Sequence, residues 1–327
     1  MFILGLEGEN LSDNPNLINA LENNLGGVIF FTQNIKTKEQ FKTLIKDIKS
    51  KAKITPFLSI DQEGGRVERT ENLLEGKMCL SAKFSAENGE CFLKKQTEKI
   101  SRELKDFGIN LNFAPVLDVN TNPDNPIIGE RAFSNNADEV IKCGNIVVKT
   151  YLENGITPCT KHFPGHGDAS VDSHIALPEI DLAFDDYFKN HIRVFKEVES
   201  PMIMVAHLHC KAFDEEKIPS SLSKNVVGYL KKELGYNGLI ITDDMVMGGI
   251  EMHRCIDAKS HSKSTEHAIQ AINAGVNILL YRNSFDETLK IIENIAELTQ
   301  NDPGLLENIE KSYTKIVEFK QKNKSIF

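Results

Sequence analysis

L-I-I-T-D-D-M, from Leu239 to Met245, sets apolar and β-branched residues directly against two carboxylates. Four such residues without polar alternation read as a short strand covered on both faces, as in a parallel sheet. The acidic pair then falls at the strand's C-terminal end. Similar apolar runs begin at Phe2 (F-I-L-G-L), Val28 (V-I-F-F), Phe57 (F-L-S-I), Leu111 (L-N-F-A), Ile156 (I-T-P-C-T), Ile203 (I-M-V-A) and Asn277 (N-I-L-L-Y). Amphipathic helical patterns separate most of them. Lys38 to Lys51 spaces Phe41, Leu44, Ile45 and Ile48 along one helix face. Ser223 to Leu234 follows a cap at Ser221 or Ser223 and stops before Gly235, and Ser264 to Ala274 stops at Gly275. Asp286 to Leu298 and Pro303 to Lys320 are the last helical patterns. Eight strand segments alternating with helices predict a (β/α)8 TIM-type barrel, with the doubly wound open sheet as the competing α/β architecture. No G-x-G-x-x-G opens a helix and no P-loop is present, which weighs against nucleotide folds. No stretch has the composition of a linker, so residues 1–327 are expected to form one barrel domain.

Composition agrees with a large globular core: 40% of the 327 residues are hydrophobic and 26% charged. A formal net charge of −9 argues against nucleic acid and anionic membranes as partners. The opening M-F-I-L-G-L-E-G-E-N has no basic segment, and its apolar run ends at Glu7, too short for a signal peptide or an anchor. Cys79, Cys91, Cys143, Cys159, Cys210 and Cys255 are scattered without a C-x-x-C pair, the pattern of reduced thiols. A cytoplasmic location is the expectation.

Polar clusters follow five of the strand segments: D-Q-E-G-G-R the third, A-P-V-L-D-V the fourth, K-H-F-P-G-H-G-D the fifth, H-L-H the sixth and T-D-D-M the seventh. In a barrel these ends share one mouth. Side chains alternate along a strand, so Asp243 and Asp244 should not both face the pocket. One is free to be a nucleophile or metal ligand, although both could simply cap a helix. In D-A-S-V-D-S-H, residues two apart project to one side, so Asp172 can reach His174 and form an acid/base dyad, or only a loop-stabilising hydrogen bond. His162, His166, Asp168 and His174 are alternatives as metal ligands, with H-x-H at His207 and His209 in reserve, but Pro164, Gly165 and Gly167 disfavour the helix that H-x-x-x-H prefers. Asp61 and the arginines of D-Q-E-G-G-R-V-E-R suit a polar ligand or, equally, a surface ion-pair turn. Lys161 and His162 end the fifth strand and should line the mouth. I-G-E-R-A-F supplies Arg131, with Glu130 as its expected partner. His191, His253, His261 and His267 read as solvated surface positions.

Taken together, K-H-F-P-G-H-G-D-x-x-x-D-S-H, D-Q-E-G-G-R-V-x-R, N-F-A-P-V-L-D-V, I-G-E-R-x-F and T-D-D-M resemble glycoside hydrolase family 3. The likeness is to its single-domain β-N-acetylglucosaminidases of peptidoglycan recycling, and it extends from Leu4 to the A-G-V-N-I-L-L that begins at Ala274. It implies Asp243 as nucleophile, His174 as general acid/base with Asp172 as partner, and Asp61, Arg69, Arg131, Lys161 and His162 as sugar-binding residues. It also implies no cofactor or metal, a monomer, and a small carbohydrate or muropeptide as substrate. His209 and Cys210 depart from the family's usual residues, and the polar loop from Glu251 to Ser264 leaves subsite preference open. A retaining hydrolysis would run through a glycosyl–enzyme on Asp243. A phosphorylase on the same site, a metal-dependent hydrolase barrel and a catalytically silent sugar-binding barrel are the competing readings.

Overall fold

The computed structural model describes residues 1–73, 78–170, 177–251, 253 and 262–327. Eight parallel strands close a barrel: β1 (Phe2–Gly5), β2 (Gly27–Phe30), β3 (Phe57–Ile60), β4 (Leu111–Asn112), β5 (Thr157–Phe163), β6 (Met202–Val205), β7 (Leu239–Asp244) and β8 (Ile278–Tyr281). Neighbours pair in sequence order, and β1 closes on β8 with Phe2 beside Leu279. Each strand coincides with an apolar run read from the sequence. The closed ring, not the open doubly wound sheet, is the arrangement formed.

Strand residues divide by parity between two apolar clusters. Ile3, Ile29, Phe57, Cys159, Met202, Met204, Leu239, Ile241, Ile278 and Leu280 pack in one, inside the ring. Leu4, Val28, Leu58, Ile203, Ile240 and Leu279 join the other, between ring and helices. A strand buried on both faces must be apolar at every position, so the runs show no alternation. The N-terminal end of the barrel is plugged by the helix Pro303–Lys322: Ile316 joins the inner cluster, and Phe319 and Phe327 lie 6.3 and 5.2 Å from the Phe57 ring.

Helix ends follow their capping residues. Thr37 caps Lys38–Lys51 by accepting from Gln40 N at 3.1 Å, and Ser223 caps Lys224–Lys232 by accepting from Val226 N at 3.0 Å. Gly275 ends Lys263–Ala274 at φ +104°, a conformation that favours glycine. Glu90–Phe107 and Ala137–Glu153 complete the long helices of the first half.

Candidate active site

Parity positions the site. Phe57 and Cys159 point into the barrel, as do Leu239 and Ile241. Continuing each strand by twos from these positions reaches Asp61, Lys161 and Asp243. All three line one cavity of about 860 Å³ at the C-terminal mouth, together with Arg69, Arg131 and His162. Lys161 and His162 are neighbours in sequence, yet both reach the cavity. The register with β6 shifts between Thr160 and Phe163, which breaks strict alternation there.

The charged side chains form a linked set. Lys161 Nζ lies 2.6 Å from Asp61 Oδ1 and 2.6 Å from Glu63 Oε1. Glu63 also takes Arg131 in a fork, from Nε and Nη2 at 2.8 Å each. Arg69 Nη2 stands 3.8 Å from Asp61 Oδ2, and its guanidinium lies over the Phe31 ring at 5.4 Å. Burial opposes the charge on Glu63, but Arg131 and Lys161 outweigh it and hold the carboxyl well below the usual carboxylate range. Burial likewise opposes the charge on Lys161, and Asp61 and Glu63 more than restore it. Glu63, Arg131 and Lys161 are held in place and ionised before any ligand arrives. That suits recognition of hydroxyls, which can donate to a carboxylate and accept from an ammonium or guanidinium.

A second buried carboxylate orders the K-H-F-P-G-H-G-D segment. Asp118 Oδ2 sits 2.6 Å from His162 Nδ1, and Oδ1 accepts from the backbone N–H groups of His162 at 3.3 Å and His166 at 2.6 Å. Burial works against the Asp118 charge, but His162 and these donors keep its pKa lowered. A carboxylate accepts, so Nδ1 of His162 carries the proton and Nε2 is the nitrogen left for the cavity. The glycines here permit close approach. A side chain at Gly167 would meet the Val119 carbonyl oxygen at 1.8 Å, and Tyr187 Oη donates to Gly165 O at 2.8 Å. Asp168 accepts from Thr121 Oγ1 at 3.0 Å, holding the segment's shape. His166 is 2% exposed and lines the cavity, and neither ring nitrogen has a partner among the described residues.

Both carboxylates of the acidic pair on β7 line the cavity, against the expected alternation, because the register with β8 shifts between Ile241 and Asp244. The two differ in charge state, and Asp243 is the one held ionised. Burial raises its pKa, but His162, His207, the backbone N–H of Asp244 at 2.8 Å and Lys161 together lower it below the usual value. A carboxylate kept ionised in a cavity has the charge state of a nucleophile. Asp244 accepts from the backbone N–H groups of Arg282 at 3.1 Å and Val246 at 3.3 Å, so it ties β7 to the loop after β8. Burial pushes its pKa up to about 6.

Asp172 and His174, the expected acid/base dyad, lie outside the described residues, as do His261 and Cys255. Four other expectations need correction. Arg131 pairs with Glu63, not Glu130, because the D-Q-E-G-G-R turn folds back under the mouth. Of the two arginines in that turn, only Arg69 faces the cavity; Arg66 donates to the carbonyls of Pro126 and Ile127. His191 and His267 are 1% and 3% exposed, packed inside the helical layer and not on the surface. His207 is bonded to Ser221 Oγ and Asp244 O, and His209 sits in a separate short β-bridge beside Glu179, so the H-x-H pair does not converge. Among the described residues no three His, Cys, Asp or Glu side chains are grouped to hold a metal ion. Glu63 and Asp118 were the functional residues missed. Glu63 carried a usable signal, since it lies two residues beyond Asp61.

Residues 10–319 match the family model described as glycosyl hydrolase family 3 N terminal domain. The chain is 33% identical over 329 residues to Beta-hexosaminidase A of Pseudoalteromonas piscicida, covering 91% of this chain and 53% of that protein. It thus spans about half the length of that relative. It is 29% identical to Beta-hexosaminidase of Haemophilus influenzae, covering 86% of this chain and 79% of that one. Its structure superposes on a glycoside hydrolase family 3 β-N-acetylglucosaminidase from Paenibacillus sp. str. FPU-7 with a TM-score of 0.88 at 30% identity, over 99% of this chain and 61% of that one. With its barrel matched from end to end and the cavity at its C-terminal mouth, the chain belongs to glycosyl hydrolase family 3.

Proposed function

We propose that this chain is a retaining exo-β-N-acetylglucosaminidase, acting on terminal N-acetylglucosamine of small peptidoglycan turnover fragments in the cytoplasm. The observation that carries the reading is Asp243, ionised and inward-facing, in one cavity with the linked set of Asp61, Glu63, Arg131 and Lys161. The names of its relatives point to the same activity. Among the described residues no helix is long and apolar enough to cross a membrane.

In the proposed reaction the charged set grips the sugar hydroxyls. An Asp243 oxygen bonds to the anomeric carbon as the glycosidic C–O bond breaks, and His174 gives its proton to the departing oxygen. Neutral His174 then takes a proton from water, whose oxygen attacks the same carbon and releases Asp243. Asp172 would orient and charge-balance the imidazole. A histidine fills the acid/base role without burial because its ordinary pKa lies near neutrality.

Turnover of a chromogenic N-acetylglucosaminide tests this. Asp243→Ala should abolish it in a folded protein, and a fluorosugar inactivator should leave its label on Asp243. Asp172→Ala should slow the reaction about 10²- to 10⁴-fold. Near-normal activity of Asp243→Ala would remove the nucleophile assignment. Sugar 1-phosphate as the main product in phosphate buffer would make the enzyme a phosphorylase.

A further inference from the structure

We propose that His166 is a further substrate contact, its imidazole hydrogen-bonding the 2-acetamido group of the sugar held in the cavity. The proposal rests on the N-acetylglucosaminidase reading and assigns one recognition element within it.

Among the described residues both ring nitrogens of His166 are buried without a partner, although the side chain lines the cavity. Buried polar atoms in native proteins are nearly always bonded, so an orphan ring at a cavity wall is a place prepared for a ligand atom. The ring is held in position from behind. The backbone N–H of His166 donates to Asp118 at 2.6 Å, its carbonyl accepts from Asn125 Nδ2 at 2.9 Å, and glycines flank it on either side. Such anchoring is what a preorganised contact requires.

Its protonation state selects the ligand group. Burial brings the ring's pKa down to about 4, so at neutral pH it carries one N–H donor and one bare acceptor nitrogen. An anion or cation would match only one of these. An amide offers a carbonyl and an N–H together, and so can engage a neutral imidazole in either tautomer.

Position narrows it further. The His166 ring centroid is 6.0 Å from that of His162, and the Asp243 charge acts on it. Asp243 must approach the anomeric carbon, and the charged set of Asp61, Glu63, Lys161 and Arg131 already satisfies hydroxyls. The substituent next to the anomeric carbon is the one left to a neutral group close to Asp243. In N-acetylglucosamine that substituent is the acetamide.

The test uses the full chain, with His166→Leu and His166→Asn beside wild type. Ligand-observed NMR gives Kd for free N-acetylglucosamine and for glucose, and thermal melting reports folding. The leucine variant should bind N-acetylglucosamine about 10- to 100-fold more weakly, the range for leaving a buried polar group unmatched, while glucose changes less than about 2-fold. The asparagine variant, which keeps a donor and an acceptor, should recover part of the loss. It also stands in if the leucine variant does not fold. Unchanged N-acetylglucosamine affinity, or parallel weakening of both sugars, overturns the proposal. Turnover of the chromogenic substrate by wild type tests the enzymatic reading separately, so a failure of one is distinguishable from a failure of the other.

Discussion

Glu63→Gln takes one negative charge from the least solvated part of the site while keeping the side chain's size. The side chains of Glu63, Arg131 and Lys161 are 5%, 11% and 3% exposed, so water cannot replace what is lost. Glu63 accepts from Arg131 Nε and Nη2 at 2.8 Å each, and Lys161 Nζ lies 2.6 Å from it. A glutamine offers one acceptor oxygen and turns an N–H₂ group toward a second donor. Lys161 still has Asp61, but Arg131 loses its only side-chain ion-pair partner among the described residues. Removing one member of a buried pair costs about 3–5 kcal/mol, because the remaining charge stays desolvated. In a chain of this length that should lower Tm by roughly 5–10 °C. Both cations would shift to find new partners, and a misplacement near 1 Å costs about 10²-fold in rate. Urea melts and kcat/KM on a chromogenic N-acetylglucosaminide read the two effects. Glu63→Asp, shorter by one methylene, should not restore the fork. Stability within about 1 kcal/mol of wild type, with turnover within about 2-fold, would refute the view that Glu63 holds Arg131 and Lys161 in place.

Two further perturbations follow from the buried groups. Asp118→Asn leaves His162 Nδ1 and two backbone donors facing a weaker acceptor, so stability should fall by about 3 kcal/mol in urea melts, with a rise in KM as the ring loses its fixed tautomer. Acid should weaken the fold in part through His166: its pKa is about 4 in the folded chain against an ordinary 6.5, so between those values the unfolded chain takes up a proton that the folded chain refuses, and stability falls as pH drops through that window. His166→Leu should therefore flatten the slope of unfolding free energy against pH from 6.5 to 4 by about 1.4 kcal/mol per pH unit, and an unchanged slope would show that the ring is protonated in the folded state.

The ring of strands was legible because burial on both faces forces uninterrupted apolar runs, and all eight runs mark barrel strands. Helix ends were legible where a cap does local work, as at Ser223 and Gly275. The strand-end residues Asp61, Lys161 and Asp243 could be placed at the mouth because parity carries over from the core. Glu63 and Asp118 could not be read the same way. Glu63 lies in a tight hairpin, Gln62–Gly64 against Val67–Glu68, and only tertiary folding brings it to Arg131. Asp118 sits between Leu117 and Val119, both buried, and its apolar company disguised a carboxylate whose partners are 44 and 48 residues away. His191 and His267 were misread because a polar local context says little about which face of a helix is covered.

The shared parity of core and site has a consequence for how this protein tolerates change. Asp61, Lys161 and Asp243 are the outermost members of the same inward rows that fill the barrel. A single residue inserted between Ile241 and Thr242 would send Asp243 toward the helices and out of the cavity, even with every original side chain still present. Length changes in the loops beyond these rows leave the rows themselves untouched. The strand ends are therefore fixed in frame, while the loops can be lengthened or exchanged to alter what the mouth accepts.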